Sequence, residues 1–248
     1  MGPTMYIVYS REQEIKNFKP ELYTDISLTT ATDSQDTITL KRKSSERLSK
    51  TEAATLKNSL SKISSVILTK ETKQTSKRAP ELYDATTIAQ DMNKRYGYSA
   101  KKTSDIIQKL YQDYALTTYP GTNARKISEG SAKKVYQILN NLTVLTNFTA
   151  EIKANGWQVS PHVVTSEGLA HEAITPVYGS INPANVAKLS KDEMNVYMAI
   201  VERFLAVFYP KAVYEEVVVS TEASGENFET RGKSLLEPGW TAVLGTGK

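Results

Sequence analysis

"PELYDATTIAQDMNKRYGYSAKKTSDIIQKLYQDY" occupies residues 80–114, and its reading sets the fold. Pro80 closes a strand-rich region and opens a mostly helical one that runs to about residue 148. The spacing predicts a helix over 83–95 that ends near Gly97. Ser99 supplies an N-cap for the next helix, in which Ile106, Ile107, Leu110 and Tyr114 form one apolar stripe.

Working upstream, residues 22–29 alternate as a half-buried strand would, with Leu22, Ile26 and Leu28 on one side. Ile38 and Leu40 continue the pattern in a second strand. Ser49 and Glu52 form a capping-box signature ahead of Ala53, Leu56, Leu60 and Ile63, which share one helical face. A strand is expected around "SVILTK" (65–70).

Downstream, helices are expected near 130–139 and 142–154, followed by a loop-rich stretch from Gly156 to Pro183. Ser190 and Glu193 make a second capping box. Behind them Tyr197, Ile200, Val201, Phe204, Leu205 and Phe208 keep a 3.6-residue period until Pro210. The segments "AVYEEVVVS" (212–220), "NFETRGK" (227–233) and "GWTAVL" (239–244) read as strands. The order is strands, a helical insertion, a long helix and strands again. It predicts an α+β multidomain chain in which a mostly helical domain interrupts a β-rich one.

Composition narrows the function. Among 248 residues there is no cysteine, so disulfides, thiolate zinc sites and cysteine nucleophiles are excluded, and a reducing, cytoplasmic setting is expected. No apolar run approaches the roughly 18–20 residues that cross a bilayer, and no export signal opens the chain. The net charge of +4 is unevenly spread: −3 over residues 1–40, +8 over 41–78, +3 over 79–148 and −4 over 149–248. A cationic block of that density suits a phosphate backbone, although a solvated lysine-rich face has the same composition. Glu215 and Glu216 lack a second carboxylate pair at a telling spacing, so nothing supports glycosidase chemistry.

Several segments, in order, resemble the type IA DNA topoisomerases, nearest the topoisomerase III branch. They are "YSREQEIKNFKPELY" (9–23), "ELYDATTIAQDMNKRYGYSAKKTSDIIQKLYQ" (81–112), "LTTYPGTNAR" (116–125), "GLAHEAITP" (168–176), "LSKDEMNVYMAIVERFLAVFYPKAVYEE" (189–216) and "LLEPGW" (235–240). The likeness covers nearly the whole chain. It implies that residues 1–18 end a preceding family domain. Residues 19–79 with 186–248 would form a discontinuous β-rich gate, and 80–185 a helical domain carrying the active-site loop, together part of the family's toroid.

The resemblance further implies a gate that cuts one DNA strand through a transient 5′-phosphotyrosyl link at Tyr119, passes another strand and reseals the first. A phenolate is both nucleophile and leaving group, so the ester exchange is reversible. With a free pKa of about 10, the phenol needs neighbouring positive charge or a base at neutral pH. His171 is similar to the family histidine that assists this step. Lys94, Arg95, Lys101, Lys102, Gln108, Arg125, Lys126 and Arg203 are expected DNA-binding residues, with Arg203 alternatively snorkelling from the core. Tyr96 and Tyr98 suit core packing better than base stacking. His162 reads as a loop histidine holding a carbonyl, and Glu172 as a local cap.

The sequence departs from the family pattern beside the tyrosine. Where the family carries an arginine clamp for the scissile phosphate, this chain has Gly121, and the following Asp and Ser are Asn123 and Ala124. The family's acid-base glutamate and Asp-x-Asp-x-Glu magnesium cluster are not identifiable in the chain. Mg²⁺ is therefore expected from a domain outside it, with no cofactor in the chain itself. The expected partner is single-stranded DNA, on bacterial nucleoid or mobile-element DNA, by a monomer that does not relax supercoils alone. The competing expectation is a noncatalytic single-strand-binding module derived from the enzyme, with Tyr119 kept for packing or stacking.

Overall fold

A computed structural model describes residues 2–32, 34–179 and 181–245. In chain order the elements are α1 (Pro3–Lys16), β1 (Ser27–Ala31), β2 (Thr37–Arg42), α2 (Lys50–Leu60), β3 (Thr69–Lys77), α3 (Ala85–Tyr96), α4 (Ala100–Gln112), β4 (Ile127–Ser128), α5 (Glu129–Ala132), α6 (Val135–Leu142), α7 (Phe148–Ala154), β5 (Val164–Thr165), α8 (Pro183–Val186), α9 (Lys191–Ala206), β6 (Ala212–Ala223), β7 (Glu226–Glu237) and α10 (Thr241–Leu244). The chain forms two compact units, residues 1–73 with 216–233 and residues 74–215 with 234–248. In chain order the helical unit interrupts the sheet-bearing one.

Five strands lie in the order β1-β2-β7-β6-β3. β1 and β2 pair antiparallel with Leu28 opposite Leu40, and Arg42 of β2 stands opposite Phe228 of β7. Ser224 and Gly225, both at positive φ, make the two-residue turn between β6 and β7. Two successive left-handed residues match the twist of a tight hairpin. In the sheet-bearing unit Leu40, Ala223 and Phe228 are fully buried, and Leu28, Ile38, Leu60, Val66 and Leu68 pack partly against them.

The helical unit has the larger core. α9 buries Tyr197, Ile200, Val201, Phe204 and Leu205, with Phe208 just beyond its end. α4 adds Ile107 and Leu110, with Ile106 and Tyr114 packed at the edge. All three foreseen caps form: Ser49 with Glu52 and Ser190 with Glu193 close capping boxes, and Ser99 accepts from the Lys102 amide. Asp84 caps α3, which ends at left-handed Gly97.

Four local expectations shift. Strand β1 starts at Ser27 and leaves Leu22 fully exposed, because β2 ends at Arg42 and beyond it residues 22–25 meet only the isolated Thr24–Leu48 bridge. β3 begins at Thr69, four residues later than "SVILTK" suggests; the apolar Val66 and Leu68 precede the ladder, and polar residues carry it. Residues 130–154 form three short helices with breaks at Lys133–Lys134 and Thr143–Asn147. "GWTAVL" is a helical turn: Gly239 adopts positive φ, Val243 is buried in the helical core, and the Trp240 indole donates to the Lys77 carbonyl at 2.8 Å. α9, grouped with the β-rich part in the sequence reading, has its apolar face in the helical core, and the compact units divide at 73/74, 215/216 and 233/234.

Candidate active site

The Tyr119 loop is built by hydrogen bonds between segments far apart in sequence. Past α4 the chain turns through Ala115, a non-glycine residue at φ 50°, and the Leu116 amide closes the turn on the Leu110 carbonyl at 2.9 Å. An alanine in this left-handed region is strained. Residues 116–118 then run extended against 175–177: Thr118 and Thr175 join by their backbones, and Val177 donates to Leu116. The Thr118 hydroxyl donates to the Ala173 carbonyl and accepts from the Thr175 amide, both at 2.9 Å. Ala173 also donates to Lys126, and Ile174 to Tyr83.

This stitching brings the loop-rich stretch to the tyrosine. The rings of Tyr119 and His171 lie 4.5 Å apart between centroids, tilted by 41°. Tyr111 of α4 meets Tyr119 edge-on at 5.7 Å. Tyr119 is 40% exposed on an irregular segment, and His171 is exposed beside it. A phenol and an imidazole in contact, both open to solvent, can share a proton donor or acceptor on an incoming group. Glu172 faces inward, where one oxygen accepts from the Ser128 amide and the Ser131 hydroxyl. It acts as a local anchor. Behind the loop a cavity of about 390 Å³ is lined by Thr118, Glu172, Thr175, Val135, Ile138 and Phe204, among others.

The cations named from sequence sit in different settings. Lys94 and Lys126 are exposed and take part in no ion pair among the described residues. Lys101 pairs with Asp105 at 2.6 Å. Lys102 pairs with Asp192 at 2.6 Å and lies over the Tyr98 ring. Arg95 is held by Asp91 and Glu202, each at 3.0 Å. Arg203, 14% exposed, stacks on the Tyr83 ring at 4.2 Å and donates to the Glu81 carbonyl. Tyr83 donates to Asp91, and burial pushes its phenol up to about 12. Arg125 faces Glu81 at 3.5 Å and Asp84 at 3.9 Å, which already offset part of its charge. Gln108 is half-buried on α4.

Tyr98 is buried and donates to Asp192, whereas Tyr96 is exposed and stacks on it. His162 lies between the Ser160 hydroxyl at 2.7 Å and the Ala79 carbonyl at 3.0 Å. A carbonyl only accepts, so Nε2 carries the proton and Nδ1 accepts from Ser160. Desolvation lowers its pKa. Among the described residues no group of three or more His, Cys, Asp or Glu is placed to hold a metal ion. The residues present therefore do not fit magnesium.

Sequence reasoning did not single out Tyr111 or Thr118 as parts of the site. Tyr111 closes the quoted "QKLY" run, but its contact with Tyr119 depends on the turn at Ala115. In the sheet-bearing unit an open groove of about 670 Å³ is lined by Lys41, Arg42, Lys43, Arg231 and Glu229, among others, and Glu229 pairs with Lys43 at 2.8 Å and Arg231 at 2.9 Å. It gathers part of the basic block of 41–78.

Comparison with known proteins agrees with the fold. A family model described as DNA topoisomerase matches residues 2–248. The chain belongs to the DNA topoisomerase family, in its type IA class. DNA topoisomerase 3 of Bacillus thuringiensis (strain Al Hakam) is 34% identical over 248 residues, 97% of this chain and 33% of that protein. DNA topoisomerase 3 of Bacillus subtilis (strain 168) is also 34% identical, over 249 residues, with the same coverage. The chain thus spans about one third of the length of these curated relatives. Full-length topoisomerase I from Thermotoga maritima superposes with a TM-score of 0.71 at 24% identity, over 98% of this chain and 39% of that one. No helix among the described residues is long and apolar enough to cross a membrane.

Proposed function

We propose that residues 1–248 act as the strand-cleaving gate portion of a type IA DNA topoisomerase, with Tyr119 as nucleophile and His171 as its assistant. The observation that carries this reading is the contact of the Tyr119 and His171 rings at 4.5 Å on a solvent-open loop, each within its family motif. The Tyr119 hydroxyl oxygen attacks a phosphodiester phosphorus. The new phosphorus–oxygen bond forms as the bond to the neighbouring 3′ oxygen breaks. The phenolic proton passes to His171 or water, and the departing 3′ oxygen takes one up, leaving a free 3′ hydroxyl and a 5′-phosphotyrosine. Reversal reseals the strand without ATP, because one ester replaces another.

Single-stranded DNA is the substrate in this reading, and exposed Lys94 and Lys126 supply backbone contacts. Arg95, Lys101 and Lys102 contribute only after exchanging their present carboxylate partners for phosphates. Magnesium would be held by a metal-binding part of the enzyme, and no step here is routed through it. The protein would act as a monomer in the cytoplasm, on nucleoid or mobile-element DNA.

The test is covalent trapping of a labelled oligonucleotide, with a family metal-binding domain and magnesium supplied in trans. A Tyr119-linked adduct is expected, and Tyr119→Phe removes it completely. An adduct on another residue would overturn Tyr119 as the nucleophile, and no adduct with the metal-binding domain shown to be folded and bound would leave a DNA-binding module without cleavage.

A further inference from the structure

We propose that Gly121 provides a seat on which the Tyr119 phenol rests, and that a side chain at this position releases the tyrosine for attack. The inference rests on the reading of Tyr119 as nucleophile. A β-carbon built on Gly121 falls 2.6 Å from the Tyr119 hydroxyl oxygen, 2.7 Å from Cζ and 2.8 Å from Cε1. All three lie well inside van der Waals contact, so the ring occupies the space that any L side chain at 121 would claim. Gly121 is not among the residues at positive φ. A left-handed backbone therefore does not stand against alanine here, and the three atoms nearest its β-carbon all belong to the Tyr119 side chain.

The remaining contacts hold the ring on the seat. His171 lies against it at 4.5 Å and Tyr111 braces it edge-on at 5.7 Å. The hydroxyl is the atom nearest the space a β-carbon at 121 would take, so the ring is folded back over its own turn. A chain with arginine at this position has no room for the same rotamer. The resting position is thus a consequence of the glycine, and the substitution has two separable effects. One is loss of a cation near the phosphate, and the other is a lower resting energy for a retracted nucleophile.

Alanine at 121 separates them, because it displaces the ring without supplying charge. In the unsubstituted chain, NOEs between the Tyr119 ring protons and the Gly121 α-protons are expected, and their absence would overturn the seat. Nitration by tetranitromethane, mapped by peptide mass, gives a second readout, since Cε1 is one of the two ring carbons attacked. Gly121→Ala should raise Tyr119 nitration several-fold, while exposed Tyr6 and Tyr178 stay constant as internal references. Unchanged Tyr119 nitration in a folded Gly121→Ala chain refutes the proposal. In the trapping assay Gly121→Ala should raise the rate of adduct formation, and Gly121→Arg should raise it further by adding the clamp. Higher nitration with a slower adduct would mean that the seated ring is the working geometry, which overturns the resting-state assignment. Higher nitration with no adduct in any variant supports the seat and rejects the nucleophile reading.

Discussion

The helical unit and the sheet-bearing unit bury apolar surface on very different scales. In the first, α4, α9 and the short helices between them close over a continuous core that includes Tyr83, Leu110, Leu139, Tyr197 and Phe204. In the second, among the described residues, the buried cluster is Leu40, Ala223 and Phe228, with Ala53 and Leu56 buried on α2, and partly exposed Ile, Leu and Val surround the cluster. The dense basic segment falls largely in the thin-cored unit, whereas the tyrosine and histidine sit on the thick-cored one. Charge tolerates a compliant support because Coulomb attraction varies slowly with distance. Attack on phosphorus needs atoms held to a fraction of an ångström, which a well-packed scaffold provides.

The largest expected effect tests that contrast in core size. Phe204→Ala should cost about 3–5 kcal/mol, since a fully buried aromatic leaves a cavity. Leu40→Ala should cost at the lower end of about 2–5 kcal/mol, because a small core relaxes more readily around the gap. Calorimetry checks both. A greater loss for Leu40→Ala would show that the sheet-bearing unit depends on its few buried residues more than the helical unit does on any one.

Next in size is the separation of charge from chemistry. Replacing Lys41 and Lys43 by alanine should weaken single-stranded DNA binding about tenfold and reduce the salt slope by about 1–2, leaving adduct yield per bound strand unchanged. Filter binding at two salt concentrations measures it. An unchanged slope would remove the groove lined by Lys41, Lys43 and Arg231 from the DNA path.

A smaller effect concerns strain beside the site. Ala115→Gly should stabilise the helical unit by up to about 1 kcal/mol, because the left-handed penalty slightly exceeds the entropy that glycine adds to the unfolded chain. Thermal unfolding of the variant decides it. A loss of stability would mean that the Ala115 methyl makes a contact worth more than the strain.

The smallest effect is a pH dependence. His162 has a lowered pKa through desolvation, so the unfolded chain takes up its proton first as pH falls. Its contribution is complete above the unfolded value of about 6.5 and is lost as pH falls from there towards the folded value. The melting temperature should decline across that window, and His162→Gln should flatten the decline. A steeper decline in His162→Gln would place the acid sensitivity elsewhere.

Much of the helical scaffold was legible in the sequence because its signals are local. Ser49, Ser99 and Ser190 announced their helices through contacts within a single turn. The α9 stripe from Tyr197 to Phe208 declared a buried face by period alone. "GWTAVL" misled because its apolar residues suit either a strand or a helical turn, and the choice fell to Gly239 and to burial of Val243. β3 was displaced because its ladder is carried by polar residues with no alternating pattern.

The sequence by itself determined the caps, the core face of α9, the basic block and the order of the segments that resemble the family's. Tertiary structure alone decided what those residues touch. Thr118 joins Ala173 and Thr175 across more than fifty positions, and that union sets the Tyr119 and His171 rings in contact. It also committed Arg95 and Arg203 to Asp91, Glu202 and Tyr83, and laid the Tyr119 ring over Gly121. Helix caps and periodicity arise between near neighbours and are written in spacing. The partners of a side chain across a fold depend on loop closure, which spacing does not encode.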